Sequence, residues 1–148
     1  MATSSYYGAN YTVVDNTPVA VGSLVNACEW GGNVQVRTDS FTATAGDTGD
    51  AASFIYIGKL PKGSIPLMCV ISSPAATTWT GTVGWSGNAD GLGDFAAFSA
   101  AGSQVTGPGA TESYTKLTQD TDVYITTATA ALVSADSIST QIFYVNGG

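Results

Sequence analysis

Hydrophobic and polar positions fall in short runs separated by turn residues. Val34-Gln35-Val36-Arg37 alternates with period two, and the pattern runs on through Phe41, as a β-strand does. Ala45-Gly46-Asp47-Thr48-Gly49-Asp50 reads as a turn, and Ser53-Phe54-Ile55-Tyr56-Ile57 as a strongly β-prone run. Lys59-Leu60-Pro61-Lys62-Gly63 connects it to a continuous apolar strand from Pro66 to Ser72. Thr77 to Ser86 alternates again, and Gly87 to Asp94 carries Gly-Asn and Asp-Gly turn signals. Phe95-Ala96-Ala97-Phe98 fits a strand or one helical turn, and Ala100 to Thr111 is a Gly-rich loop. Tyr114 to Leu117 is a candidate short strand, Asp122 to Thr127 a strong one, and Thr129 to Val133 a strand or a helical stretch favoured by its alanines. Ser139 to Val145 is the last strand. About seven to nine short strands with no long amphipathic helix predict an all-β two-sheet sandwich or barrel.

Residues 1–32 break this regularity. Tyr6, Tyr7 and Tyr11 cluster there, and Trp30 lies near the segment's end. An extended N-terminal arm, with room for one short strand, leads into a sandwich domain over 33–148. Aromatic residues on such an arm pack on their own domain or dock on a neighbour.

Composition narrows what this fold does. The chain has 148 residues, enough for one self-sufficient core. Charged residues make up 10% of it, against about 25% in typical soluble proteins. Ser, Thr, Asn and Gly supply the polarity instead. A hydrophobic content of 44% is too high for disorder, and no apolar run approaches the ~20 residues of a membrane helix. The start, Met1-Ala2-Thr3-Ser4-Ser5-Tyr6-Tyr7, lacks the basic and apolar regions of a secretory signal. Net charge is −7 with four basic residues, which argues against a nucleic-acid partner, because phosphates are met by Lys and Arg.

The residue inventory offers little chemistry. The chain has no His, so the usual base of a hydrolytic triad is absent. Lys59, Lys62 and Lys116 sit beside turns, where lysines are solvated rather than catalytic. Glu29 and Glu112 are the only glutamates, and Asp90 and Asp94 lie close together in a Gly-rich loop. These aspartates read as turn-fixing groups rather than a hydrolytic pair. Asp47-Thr48-Gly49-Asp50 and Asn88-Ala89-Asp90-Gly91 match no calcium loop, and no glycine run opens a phosphate-binding helix. Cys69, inside an apolar run, behaves as a small hydrophobe, and with Cys28 it is read as a free thiol rather than a disulfide. Trp79 and Trp85 are an even number of residues apart, which puts both on one face of a strand. That face is core or interface before it is a carbohydrate-stacking platform. The reading is therefore of a structural protein, with no enzyme activity, cofactor, metal or small-molecule substrate expected.

One resemblance extends this reading. The acidic turn at Gly49-Asp50, the strand to Ile57 and the connection Gly58-Lys59-Leu60-Pro61-Lys62-Gly63-Ser64-Ile65-Pro66 are similar to small structural proteins of tailed bacteriophages. Thr82-Val83-Gly84-Trp85-Ser86-Gly87-Asn88-Ala89-Asp90 and Asp120-Thr121-Asp122-Val123-Tyr124-Ile125-Thr126 continue the likeness, which runs from about Gly32 to Val145. Many such proteins are capsid decoration, or cement, proteins. The resemblance implies a jelly-roll-like sandwich that assembles as a homotrimer and binds the major capsid protein. It implies synthesis in the host cytoplasm and a final place on the outer capsid surface of the virion. Tyr6, Tyr7, Tyr11 and Trp30 are then the candidate capsid or subunit contacts. The other reading is a carbohydrate-binding or receptor-binding fibre domain using Trp79 and Trp85.

Overall fold

The structure is a computed structural model that describes residues 5–7, 34–44, 52–108 and 114–146. Its strands are β1 (Ser5–Tyr7), β2 (Val34–Thr42), β3 (Phe54–Leu60), β4 (Ser64–Ser73), β5 (Thr80–Trp85), β6 (Asp94–Phe95), β7 (Gly102–Thr106), β8 (Thr121–Ala128) and β9 (Ser137–Asn146). They form two sheets, β1-β3-β8-β5-β6 and β2-β9-β4-β7.

Pairing follows a simple nesting. β2 pairs with β9, β3 with β8, β4 with β7 and β5 with β6, all antiparallel. The chain from β2 to β9 is thus one long hairpin. Rolling it up sets β9 beside β4 and β8 beside β5. A hairpin wrapped into two packed sheets is a jelly roll, so the all-β sandwich expected from the sequence is the fold observed. β1 adds to the rim of one sheet, pairing parallel with β3 at Ser5↔Phe54, Tyr6↔Ile55 and Tyr7↔Tyr56.

The core lies between the sheets. Ile55 and Ile57 of β3, Val83 of β5 and Val123 and Ile125 of β8 face Phe41, Ile71, Ile138 and Ile142 of the other sheet, all buried. Burying one such aliphatic side chain contributes about 1.5–3 kcal/mol before entropy is counted. β2 departs from the usual sense of an alternating strand. Val34 and Val36 point to solvent, while Gln35, Arg37, Asp39 and Phe41 point inward. Val36 and Phe41 are separated by an odd number of residues, so one strand cannot bury both. The larger aromatic takes the core, and Arg37 is carried inside with it.

Four local expectations change. Ala100 to Thr111 is not all loop, because β7 lies within it. Phe95-Ala96-Ala97-Phe98 makes no helical turn. Phe95 closes β6, and Phe98 is held by Thr77, whose N–H donates to the Phe98 carbonyl and whose Oγ1 accepts the Phe98 N–H. Tyr114 to Leu117 is coil pinned where Leu117 exchanges backbone hydrogen bonds with Gly63 and Ser64. Thr129 to Val133 is neither strand nor helix: Thr129 has φ 73°, which a right-handed helix cannot contain.

Candidate functional site

The residues proposed for chemistry do not converge. Asp90, in the β5–β6 connection, and Asp94, the first residue of β6, are both exposed. The Asp90 carbonyl accepts the Gly93 N–H, so this stretch works as a turn. Lys59 pairs with Asp122 at 3.4 Å, and the Lys62 backbone N–H donates to Asp120. Among the described residues no three His, Cys, Asp or Glu side chains gather into a metal-sized group. Glu29, Glu112, Asp47, Asp50 and Cys28 lie outside the described residues. Cys69 is a buried free thiol, and burial pushes its pKa up to about 12.

Trp79 and Trp85 do not share an exposed platform. Trp79 is fully buried, with its ring edge-on to Phe95 at 5.5 Å. Its indole N–H donates to Asp136 at 3.0 Å, and the Val133 N–H donates to the same carboxylate oxygen. Those bonds satisfy the polar end of a core side chain. Trp85 is half-buried at the end of β5. Gly91 makes room for it, since a Cβ there would lie 2.5 Å from the indole. Trp85 and Asn88 also exchange backbone hydrogen bonds, so the following turn holds the tryptophan in place. It lines an open groove of about 360 Å³ with Tyr56, Tyr124, Lys116, Gln119 and Asp120.

The arm residues are placed in part. Tyr6, in β1, is half-buried, and its ring meets Phe41 at 5.6 Å. Tyr7 pairs through its backbone with Tyr56. Tyr11 and Trp30 lie outside the described residues.

Two features were not singled out from the sequence. One is a polar cluster between the sheets. Arg37 reaches across to β3 at Gly58, where a Cβ would come within 3.2 Å of its Cδ. β3 is bulged there, between Tyr56 and Gly58. Burial holds the Arg37 guanidinium below its ordinary pKa, while Tyr144 and Asp39 act in the opposite sense. Asp39 is almost fully buried.

The other is the outer face of the β2-β9-β4-β7 sheet, which is graded from end to end. Register places Val34, Val145 and Ile65 in one row and Val36, Phe143 and Met68 in the next. Thr38, Gln141, Val70 and Val105 follow. The next row is all serine: Ser40, Ser139, Ser72 and Ser103, with Ser72 and Ser103 hydrogen-bonded at 2.7 Å. Arg37 and Asp39 are the only charged residues in these four strands, and both point between the sheets. The outer face therefore carries no charge. The available signal was the odd spacing between Val36 and Phe41, which forces one of them outward.

No family model matches the chain, and no curated protein matches it. Solved structures do. A chain in the capsid asymmetric unit of cyanophage Pam1 is 28% identical, with a TM-score of 0.58, over 88% of this chain and 97% of that one. A chain in the capsid of Ralstonia phage GP4 is 19% identical, with a TM-score of 0.64, over 99% of both chains, and shows the shared fold. The structural neighbours are thus phage capsid chains, which bears out the resemblance drawn from the Gly49–Pro66 region and its continuation.

Proposed function

We propose that this chain is a structural component of a phage virion, a decoration protein that binds the outside of the major capsid lattice and stabilises it. The observation that carries the reading is the likeness to the Pam1 capsid chain, which takes in nearly the whole of both chains. Supporting it are a jelly roll whose core is filled by side chains and an uncharged outer sheet face. Desolvating hydroxyl and aliphatic groups against a lattice costs less than desolvating charges. The homotrimer implied by the sequence resemblance belongs to this reading, as do contacts made by Tyr6, Tyr7, Tyr11 and Trp30. Tyr6 brings only the surface that Phe41 leaves uncovered. No enzyme activity belongs to it.

Purified shells with and without the protein test the reading. Shells carrying it withstand a higher temperature before they lose their contents. Equal resistance at saturating protein would remove the stabilising role.

A carbohydrate-binding reading survives only at the Trp85 groove, since Trp79 is closed off in the core. Aromatic rings beside amide and carboxylate groups suit a neutral sugar. Glycan-array binding lost in a folded Trp85→Ala variant would favour it.

A further inference from the structure

The edge of a sheet is where one copy of a β protein can pair with the next, because its outer N–H and C=O groups have no strand beside them. Four strands end the two sheets here. β1 has three residues, β6 two and β7 five. β7 is also clasped. The Gln104 side-chain amide donates to the Ala96 carbonyl at 2.8 Å and accepts the Ala96 N–H at 3.0 Å, which ties β7 to the segment after β6. β2 is different. It has nine residues and pairs with β9 along its whole length without a bulge. Among the described residues no strand pairs with its other side.

Most devices that blunt a long edge are missing from β2. It contains no Pro and no Lys, and it is not bulged. Its outer face shows Val34 and Val36, 55% and 48% exposed, which a neighbouring strand would partly cover. The device that remains is an inward-pointing charge, and Arg37 supplies it. β1 pairs with β3 only from Phe54 to Tyr56, so among the described residues no strand flanks that side of β3 farther along. Arg37 crosses from β2 to β3 at this open rim, with its stem against Gly58. The residue is half-buried, so part of it keeps its water. A strand laid along β2 would close the rim and take that water away. Stripping solvent from a guanidinium opposes the pairing that the free backbone and the valines favour.

We infer that Arg37 guards the free edge of β2 against pairing with the β2 edge of a second copy. Two such edges meeting antiparallel would be related by a two-fold axis and would join two four-stranded sheets into one. The contact would double a single chain, and it would link trimers to one another if other surfaces build a trimer. Arg37 thus keeps the chain from an edge-to-edge contact that its backbone would otherwise permit. The inference goes beyond the capsid reading and does not depend on it.

Light-scattering mass of the full chain at micromolar concentration tests the inference, with Arg37→Met and Arg37→Lys read beside the wild type. Methionine keeps a long unbranched stem without the charge, and lysine keeps the charge. Circular dichroism shows which variants fold. The expected result is a wild-type mass that does not change with concentration, the same mass for Arg37→Lys, and about double that mass or more for Arg37→Met. Amide hydrogen exchange locates the contact. The β2 amides turned away from β9 should exchange fast in the wild type and be slowed about tenfold or more in the associated variant. Arg37→Gln, neutral but polar, serves if the methionine form does not fold. A folded neutral variant that keeps the wild-type mass would overturn the inference. So would association that leaves those amides unprotected, a lysine variant that associates as the methionine one does, or wild-type amides already protected on that side of β2. None of these results touches the capsid reading, which is judged by the protein's presence in virions.

Discussion

Single residues show how this fold handles polar groups. Trp79 carries an N–H into the core, and Asp136 meets it. Arg37 carries a charge between the sheets, with Tyr144 and Asp39 acting to keep it protonated. Cys69 brings a thiol with no charged partner, and burial raises its pKa to about 12. The sign of the linkage follows. In the unfolded chain the thiol ionises near 9, while in the fold it stays protonated to about 12. Below pH 9 the stability it contributes is fully present. Between pH 9 and 12 that contribution falls away, at up to about 1.4 kcal/mol per pH unit. Denaturant titrations across this range should show the loss, and Cys69→Val, which cannot ionise, should show a shallower decline. Identical slopes would contradict the buried-thiol account.

At the scale of elements, local pattern and tertiary competition divide the chain between them. The strands around Ile55, Ile71, Ile125 and Ile142 were legible in the sequence, because β-branched residues recur there between clear turn signals. β7 was not legible. Gly102-Ser103-Gln104-Val105-Thr106 has one large apolar residue, and the pairing with β4 makes it a strand. The facing of β2 was not legible either, since Val34 and Val36 compete with Phe41 for the core and burial of the larger ring decides. Of the candidate site, the even spacing of Trp79 and Trp85 was readable from period two. It gave no sign that Trp79 would be fully buried, edge-on to Phe95 and bonded to Asp136. The uncharged face depends on which residues of four separate strands lie side by side, and no local pattern carries that register. β1 supplies a test at this scale. Deleting residues 1–12 removes its backbone pairing with β3 and the Tyr6–Phe41 contact. The truncated chain should remain folded with stability lowered by about 1–3 kcal/mol, and it should bind capsids more weakly. Undiminished capsid binding would remove the arm from the interface.

For the whole molecule, the proposed function is one of packing rather than chemistry. The rolled hairpin fills its interior with side chains, and its described acidic groups gather into no metal-sized cluster. What its described residues offer a partner is surface: a firmly held tryptophan in a groove and a graded, charge-free sheet. On the proposed reading, a protein built this way acts by covering and bracing something larger. The most direct test is a reconstruction of virions from a phage that encodes this chain. Density for the jelly roll should lie on the outside of the shell, regularly placed over the lattice, in hundreds of copies. A few copies confined to the tail or a fibre, or none at all, would contradict the account.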